Sequence, residues 1–142
     1  MSAERRFCAF RLDRLWFGIA VERVQEVISP PAITPVPLAP LAVAGLVNLR
    51  GQIVTVIDLR RCLGLETGRA ATSPAIVVVR NENVGLLVDE IGDLEETPES
   101  ACEAAPENLP VESRKRVPAV CKLPKRLLHL LDLDNVLSGD GG

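Results

Sequence analysis

One histidine, four cysteines and two runs of adjacent carboxylates are the side chains in this 142-residue chain that could support covalent or metal chemistry. A Ser-His-Asp arrangement could use only His129, which lies within Leu127-Leu128-His129-Leu130-Leu131-Asp132. That run reads as a half-buried strand with a polar side chain on its outer face, not as a nucleophile's base. Asp89/Glu90 and Glu95/Glu96 are neighbours on strand-like segments, where successive side chains point to opposite faces, so neither pair can share one substrate. Cys8, Cys62, Cys102 and Cys121 contain no C-x-x-C spacing, and one imidazole cannot complete a zinc set with them. Buried free thiols are the expected state. Phosphate-binding loops, dinucleotide fingerprints and the G-x-S-x-G elbow are also absent. No catalytic residue, cofactor site or metal ligand is therefore predicted.

Charge gives a second exclusion. Residues 1–71 carry nine Lys/Arg against six Asp/Glu, whereas residues 72–142 carry seven against thirteen. Between Glu82 and Glu112 there are ten acids and no Lys or Arg, a tract that would repel a phosphate backbone and reads as a solvated acidic loop or, alternatively, as an attractor for a basic partner. The four aromatics, Phe7, Phe10, Trp16 and Phe17, all fall in one N-terminal segment, so the basic groove with interleaved stacking platforms used for single strands is missing. With 47% hydrophobic residues the chain should fold, yet no apolar run approaches the roughly 18 residues of a membrane span. The segment after Met1–Arg6 alternates and lacks the apolar core of a signal peptide, which predicts a cytoplasmic protein.

The elements that would position charged side chains are mostly short strands. Val43–Arg60 reads as a β-hairpin with its tip at Asn48-Leu49-Arg50-Gly51-Gln52, where Gly51 supplies the backbone freedom for reversal. Phe7–Leu12 and Leu15–Ile19 flank a turn at Asp13-Arg14, and Ala75–Arg80 and Val84–Val88 repeat the pattern around Asn81-Glu82-Asn83. If Leu15, Phe17 and Ile19 face a core, Trp16 turns outward or onto a neighbouring element. Asp58 and Asp132 are placed to N-cap short helices that stop at Gly64 and Gly139. Five prolines in residues 30–40 predict an extended connector, and residues 97–116, with Pro98, Pro106 and Pro110, a long loop.

The two halves echo one another. Phe17–Val27 lies over Val84–Leu94 at an offset of 67, and Ile53–Leu59 over Leu127–Leu133 at 74, with Leu63 matching Leu137. A duplication follows, with approximate repeats at 17–63 and 84–137. Two sets of short strands suggest two small barrels, each marginal alone at ~70 residues, that share an apolar boundary and fold together as one domain over 1–142. The offsets match Glu26 to Asp93 and Arg50 to Pro124, so only the first half keeps a potential ion pair. Glu26 and Arg50 are expected to pair beside an exposed apolar groove and to orient a recognition surface.

The motifs Val24-Gln25-Glu26-Val27, Gly45-Leu46-Val47-Asn48-Leu49-Arg50-Gly51, Val56-Ile57-Asp58-Leu59-Arg60 and Val84-Gly85-Leu86-Leu87-Val88-Asp89 carry a family likeness. In their order and spacing the chain resembles CheW, the chemotaxis coupling proteins, over about residues 7–137. The N-L-R-G-x-I-x-x-V-x-D-L-R run is the most specific part. The resemblance implies a mainly β fold of two similar five-stranded, SH3-like barrels packed and intertwined, with short helices after strands. It also implies no catalysis, no cofactor, and an adaptor role joining chemoreceptor cytoplasmic tips to the regulatory domain of a CheA-type histidine kinase, in arrays at the inner membrane. The interaction residues it implies are Val24, Glu26, Gly45, Asn48, Arg50 and Val88. The chain departs from the family at Pro118 and Pro124, which would remove ladder donors, and in Trp16 and the long acidic loop. Two other readings are a CheW-like regulatory module of a non-standard two-component array and, in a different class, a small β-barrel that binds a ligand or nucleic acid.

Overall fold

A computed structural model describes residues 4–65, 73–104 and 108–138. The expected stop of the last helix at Gly139 lies outside them. Strands dominate. In chain order they are β1 (Glu4–Leu12), β2 (Leu15–Ala20), β3 (Val24–Ile28), β4 (Val43–Leu49), β5 (Gln52–Asp58), β6 (Ala75–Val79), β7 (Val84–Val88), β8 (Glu90–Pro98), β9 (Cys102–Ala104), β10 (Ala119–Lys122) and β11 (Leu127–Leu130). Among the described residues three short α-helices accompany them, α1 (Leu59–Cys62), α2 (Val111–Arg114) and α3 (Leu133–Leu137), with 3-10 turns at Val21–Arg23 and Glu99–Ala101.

The reversals sit where local chemistry permits them. Asp13, Asn81 and Asn83 adopt positive φ, a region that Asp and Asn tolerate better than most residues, and they turn the β1–β2 and β6–β7 hairpins. Arg50 and Gly51 are both at positive φ, 51° and 87°, as a two-residue turn matched to strand twist requires. Asp58 accepts the backbone N–H groups of Arg60 and Arg61 and starts α1; Asp132 accepts that of Asn135 and starts α3.

The strands form two barrel-like sheets, one in the order β3-β6-β7-β5-β4 and the other β8-β1-β2-β11-β10-β9. Each sheet contains one parallel pairing. In the first, Thr55 opposes Val84 and Val56 opposes Gly85; in the second, His129 opposes Phe17 and Leu130 opposes Gly18. These are the positions that the offsets of 67 and 74 match to one another. Each sheet thus joins a strand from the front half of the chain to one from the back half.

Three apolar clusters fill the space. Phe7, Ala9, Cys121, Leu128 and Leu130 line the six-stranded barrel, and Val47, Val54, Val56, Ile76 and Val78 the five-stranded one. The largest cluster lies between them. Phe10, Phe17 and Ile19 meet Val77, Val79, Leu86 and Val88 there, joined by Leu59 of α1, Leu63 just after it, and Leu133 and Val136 of α3. Neither barrel could expose this face to water cheaply, which is the boundary that their small size demands.

Three expectations need correction. The second sheet has six strands, not five, because residues 97–116 are not one loop: β9 pairs with β10, and α2 is pinned by the Ser113 hydroxyl, which donates to the Leu63 carbonyl at 2.6 Å. His129 is not on an outer face. It is 4% exposed, its Nδ1 lies 2.9 Å from the Trp16 carbonyl, and its ring sits 5.3 Å from that of Phe17. A carbonyl only accepts, so Nδ1 carries the proton. His129 shares a face with Phe17, its register partner on β2, and Phe17 belongs to the cluster between the sheets, so both faces of β11 are covered. Finally, Cys102 and Cys121 form a disulfide, leaving Cys8 and Cys62 as thiols. Pro118 and Pro124 flank β10 and leave its ladder intact.

Candidate protein-interaction site

Glu26 on β3 and Arg50 at the β4–β5 tip are 24 residues apart in sequence, and the fold joins them: Arg50 Nη2 donates to Glu26 Oε1. The Arg50 side chain remains 66% exposed and that of Glu26 28%, so the pair is a surface feature. Arg50 holds the Glu26 carboxyl below the usual carboxylate range, first through the hydrogen bond and also through its charge, while Glu26 raises Arg50 in return.

Exposed apolar side chains occur on the same strands. Ile53, which opposes Asn48 across the hairpin, is 56% exposed, and Val27, next to Glu26, is 41% exposed. Val27 and Ile28 then line one wall of an open groove of about 540 Å³; Pro74 and Ala75 extend that wall, and Glu90 and Ile91 on β8 form the other. The groove therefore runs between the two sheets. Glu26, which precedes Val27 on β3, points to the other face of the strand and does not itself line the groove.

The other expected interaction residues are not displayed in the same way. Val88, the last residue of β7, is 1% exposed and belongs to the shared core. Val24 is half-buried against the same core. Gly45 is buried where the proline-rich connector crosses β4: Thr34 and Leu46 exchange backbone hydrogen bonds, and a Cβ on Gly45 would lie 2.3 Å from the Thr34 carbonyl oxygen. Asn48 is exposed, but its Oδ1 accepts the Gly51 N–H and shapes the tip that carries Arg50. Two of the six residues thus present charge, and the other four build or back the surface.

The second barrel carries a counterpart. Asp93 and Pro124, the positions matched to Glu26 and Arg50, line one pocket of about 260 Å³ together with Glu95, Leu123, Lys125 and Arg126. Arg126 is already engaged, its guanidinium lying 4.0 Å from the Trp16 ring. Trp16 also covers Gly92 on β8, where a Cβ would meet the ring at 2.4 Å, so of the two placements alternation allowed it takes the packed one, reaching across β1.

Sequence reasoning missed a buried ion pair. Asp89 follows β7 and precedes β8, and its Oδ2 accepts Arg60 Nε at 2.7 Å, Arg60 Nη2 at 2.5 Å and the Asp13 N–H at 2.6 Å. Both side chains are less than a tenth exposed. Glu90 instead faces Arg11, whose Nε donates at 2.8 Å, so the adjacent carboxylates do diverge. The signal available was a D-L-R motif whose arginine had no assigned partner.

Among the described residues no group of His, Cys, Asp and Glu is arranged to hold a metal ion, and no helix is long and apolar enough to cross a membrane. Comparison with known proteins places this geometry. The CheW-like domain profile matches residues 6–140. "Chemotaxis protein CheW" of Bacillus subtilis is 30% identical over 143 residues, covering 96% of this chain and 92% of that protein. "Probable chemotaxis protein CheW" of Rhizobium etli is 28% identical over 139 residues, covering 96% and 90%. The crystal structure of the scaffolding protein TtCheW from Thermoanaerobacter tengcongensis shares the fold, with a TM-score of 0.80 at 24% identity over 91% of this chain and 89% of that one. The chain belongs to the CheW-like domain family, and its function is that of an adaptor in chemotaxis signalling.

Proposed function

We propose that the chain works without catalysis, coupling the cytoplasmic tips of chemoreceptors to the regulatory domain of a CheA-type histidine kinase in arrays at the inner membrane. The groove between the barrels takes the amphipathic helices of the receptor tip, with Val27, Ile28 and Ile91 as apolar contacts. An outer barrel wall meets the kinase domain. Such contacts hold the kinase where receptor motion biases its active state, and they require no group on the adaptor to react. We further propose that the two barrels descend from one duplicated unit, since the residues matched by sequence offset also occupy matching positions in the two parallel pairings.

The observation that carries the reading is the exposed Glu26–Arg50 pair on the five-stranded sheet, whose strand β3 also supplies Val27 and Ile28 to the groove. An exposed pair contributes little to folding, so its use lies in orienting a partner. Arg50→Glu places two like charges together at the surface and should weaken recovery with receptor fragments and kinase by about tenfold or more. Its circular dichroism and melting should match the wild type. Unchanged co-sedimentation of the folded variant would defeat the proposal.

A further inference from the structure

Cys102 and Cys121 oppose one another in the β9–β10 register, with Cα atoms 3.9 Å apart, and are joined by a disulfide. Their surroundings differ. Cys121 is fully buried among Phe7, Ala9, Leu128 and Leu130, whereas Cys102 is half-buried on β9, the outermost strand of its sheet. β9 is only Cys102–Ala104, and its ion pair to β10 is a surface contact between Lys122 and Glu103 at 3.4 Å. Beside the disulfide, this three-residue edge strand is held only by a short ladder to β10, the packing of Cys102 and one screened ion pair, so the covalent link matters to its docking.

We propose that this pair is a thiol–disulfide exchange site for a low-molecular-weight thiol of the glutathione class, which docks or releases β9. The small thiolate attacks the Cys102 sulfur, the more accessible of the two; a new S–S bond forms there as the bond to Cys121 breaks. Cys121 leaves as a thiolate and takes a proton. A second small thiolate then attacks the sulfur of the bound small molecule, releasing the small disulfide, and Cys102 leaves and is protonated in turn. Two small thiols are oxidised and the protein disulfide is reduced; the small disulfide drives the reverse reaction.

The surroundings suit such a cycle. A protonated Cys121 is a small apolar group already packed in an apolar cluster, so reduction leaves the barrel interior filled. Downstream, the Ser113–Leu63 hydrogen bond holds α2 in place independently of the disulfide. Cys8 and Cys62 do not compete, because burial pushes both thiols up and away from the reactive thiolate. Release of β9 uncovers the outer edge of β10, Ala119–Lys122, with its unpaired backbone donors and acceptors.

The test equilibrates the full chain in glutathione buffers from mostly oxidised to mostly reduced, then quenches in acid, alkylates and maps the modified cysteines by mass. Cys102 and Cys121 should become alkylatable together as reduced glutathione comes to dominate, and should pair again when the buffer is reversed. Amide exchange at residues 102–104 should be about tenfold or more faster in the reduced form, with β1 and β11 unchanged. Cys102→Ser should show the fast exchange in every buffer. Three results would each overturn the proposal: both thiols alkylated throughout, the disulfide persisting in a large excess of reduced glutathione, or exchange at β9 that does not depend on the disulfide.

Discussion

The Arg50 guanidinium does two things at once: it neutralises Glu26 and keeps most of its own surface in water. The carboxyl is held below its usual range by a hydrogen bond, so the paired form gains from being charged. The sign follows directly. The pair is fully formed above the ordinary Glu pKa of about 4.3 and is lost as pH falls through the lower value in the folded protein. Neutral-pH signalling should therefore not titrate through Glu26. Replacing Arg50 by Gln removes the charge and should move the Glu26 carboxyl back up toward the ordinary value, readable as a shift in its side-chain carbon titration by NMR. A titration curve identical to the wild type would mean that the contact is not formed in solution. The duplication argument exposed this pair because the matched positions, Asp93 and Pro124, do not repeat it. It could not show that Gly45 and Val88 lie behind the surface, since burial of a strand position depends on which element crosses it.

At the scale of elements, the β4–β5 hairpin shows what its glycines are for. Gly45 has φ 150°, and its missing Cβ leaves room for the Thr34 carbonyl at 2.3 Å from where that atom would stand. Gly51 has nothing within 4 Å of a Cβ, but its φ is 87°. Two different costs follow. Gly45→Ala forces two backbones apart and should destabilise by about 3 kcal/mol, whereas Gly51→Ala meets only the left-handed penalty of about 1 kcal/mol. Urea midpoints with unchanged slopes would measure both; equal losses would mean that the connector does not press on β4. The hairpins themselves were legible because alternation and turn residues agreed at Asp13, Arg50-Gly51 and Asn81–Asn83. β9 and α2 were not. One is three residues long and the other four, both lie among prolines, and what holds them is distant in sequence: β10 with its disulfide, and the Leu63 carbonyl. No local pattern records such partners, and the same gap hid the pairing of Cys102 with Cys121.

The whole molecule is held at one charged point as well as by its shared core. Asp89 lies where the chain passes from the five-stranded sheet to the six-stranded one; it binds Arg60 of α1 and the Asp13 N–H in the β1–β2 turn, while its own N–H donates to the Arg11 carbonyl at 3.0 Å. Both sheets therefore converge on one buried carboxylate. Removing one partner of such a pair leaves a desolvated charge behind, so Asp89→Ala should cost about 3–5 kcal/mol, far more than an exposed pair of the same length. The loss should not fall on one barrel alone. Phe10 and Phe17 on one side, and Val77 and Leu86 on the other, share the largest cluster, so neither sheet keeps its buried face when its neighbour opens. Trp16, the single tryptophan, reports on the six-stranded sheet, and amide exchange in β5 and β7 reports on the five-stranded one. In urea the two probes should give one midpoint in the wild type and one lowered midpoint in Asp89→Ala. If the tryptophan transition parted from loss of protection in β5 and β7, the barrels would be independent bodies, and the groove between them could not keep the fixed geometry that a receptor helix pair requires.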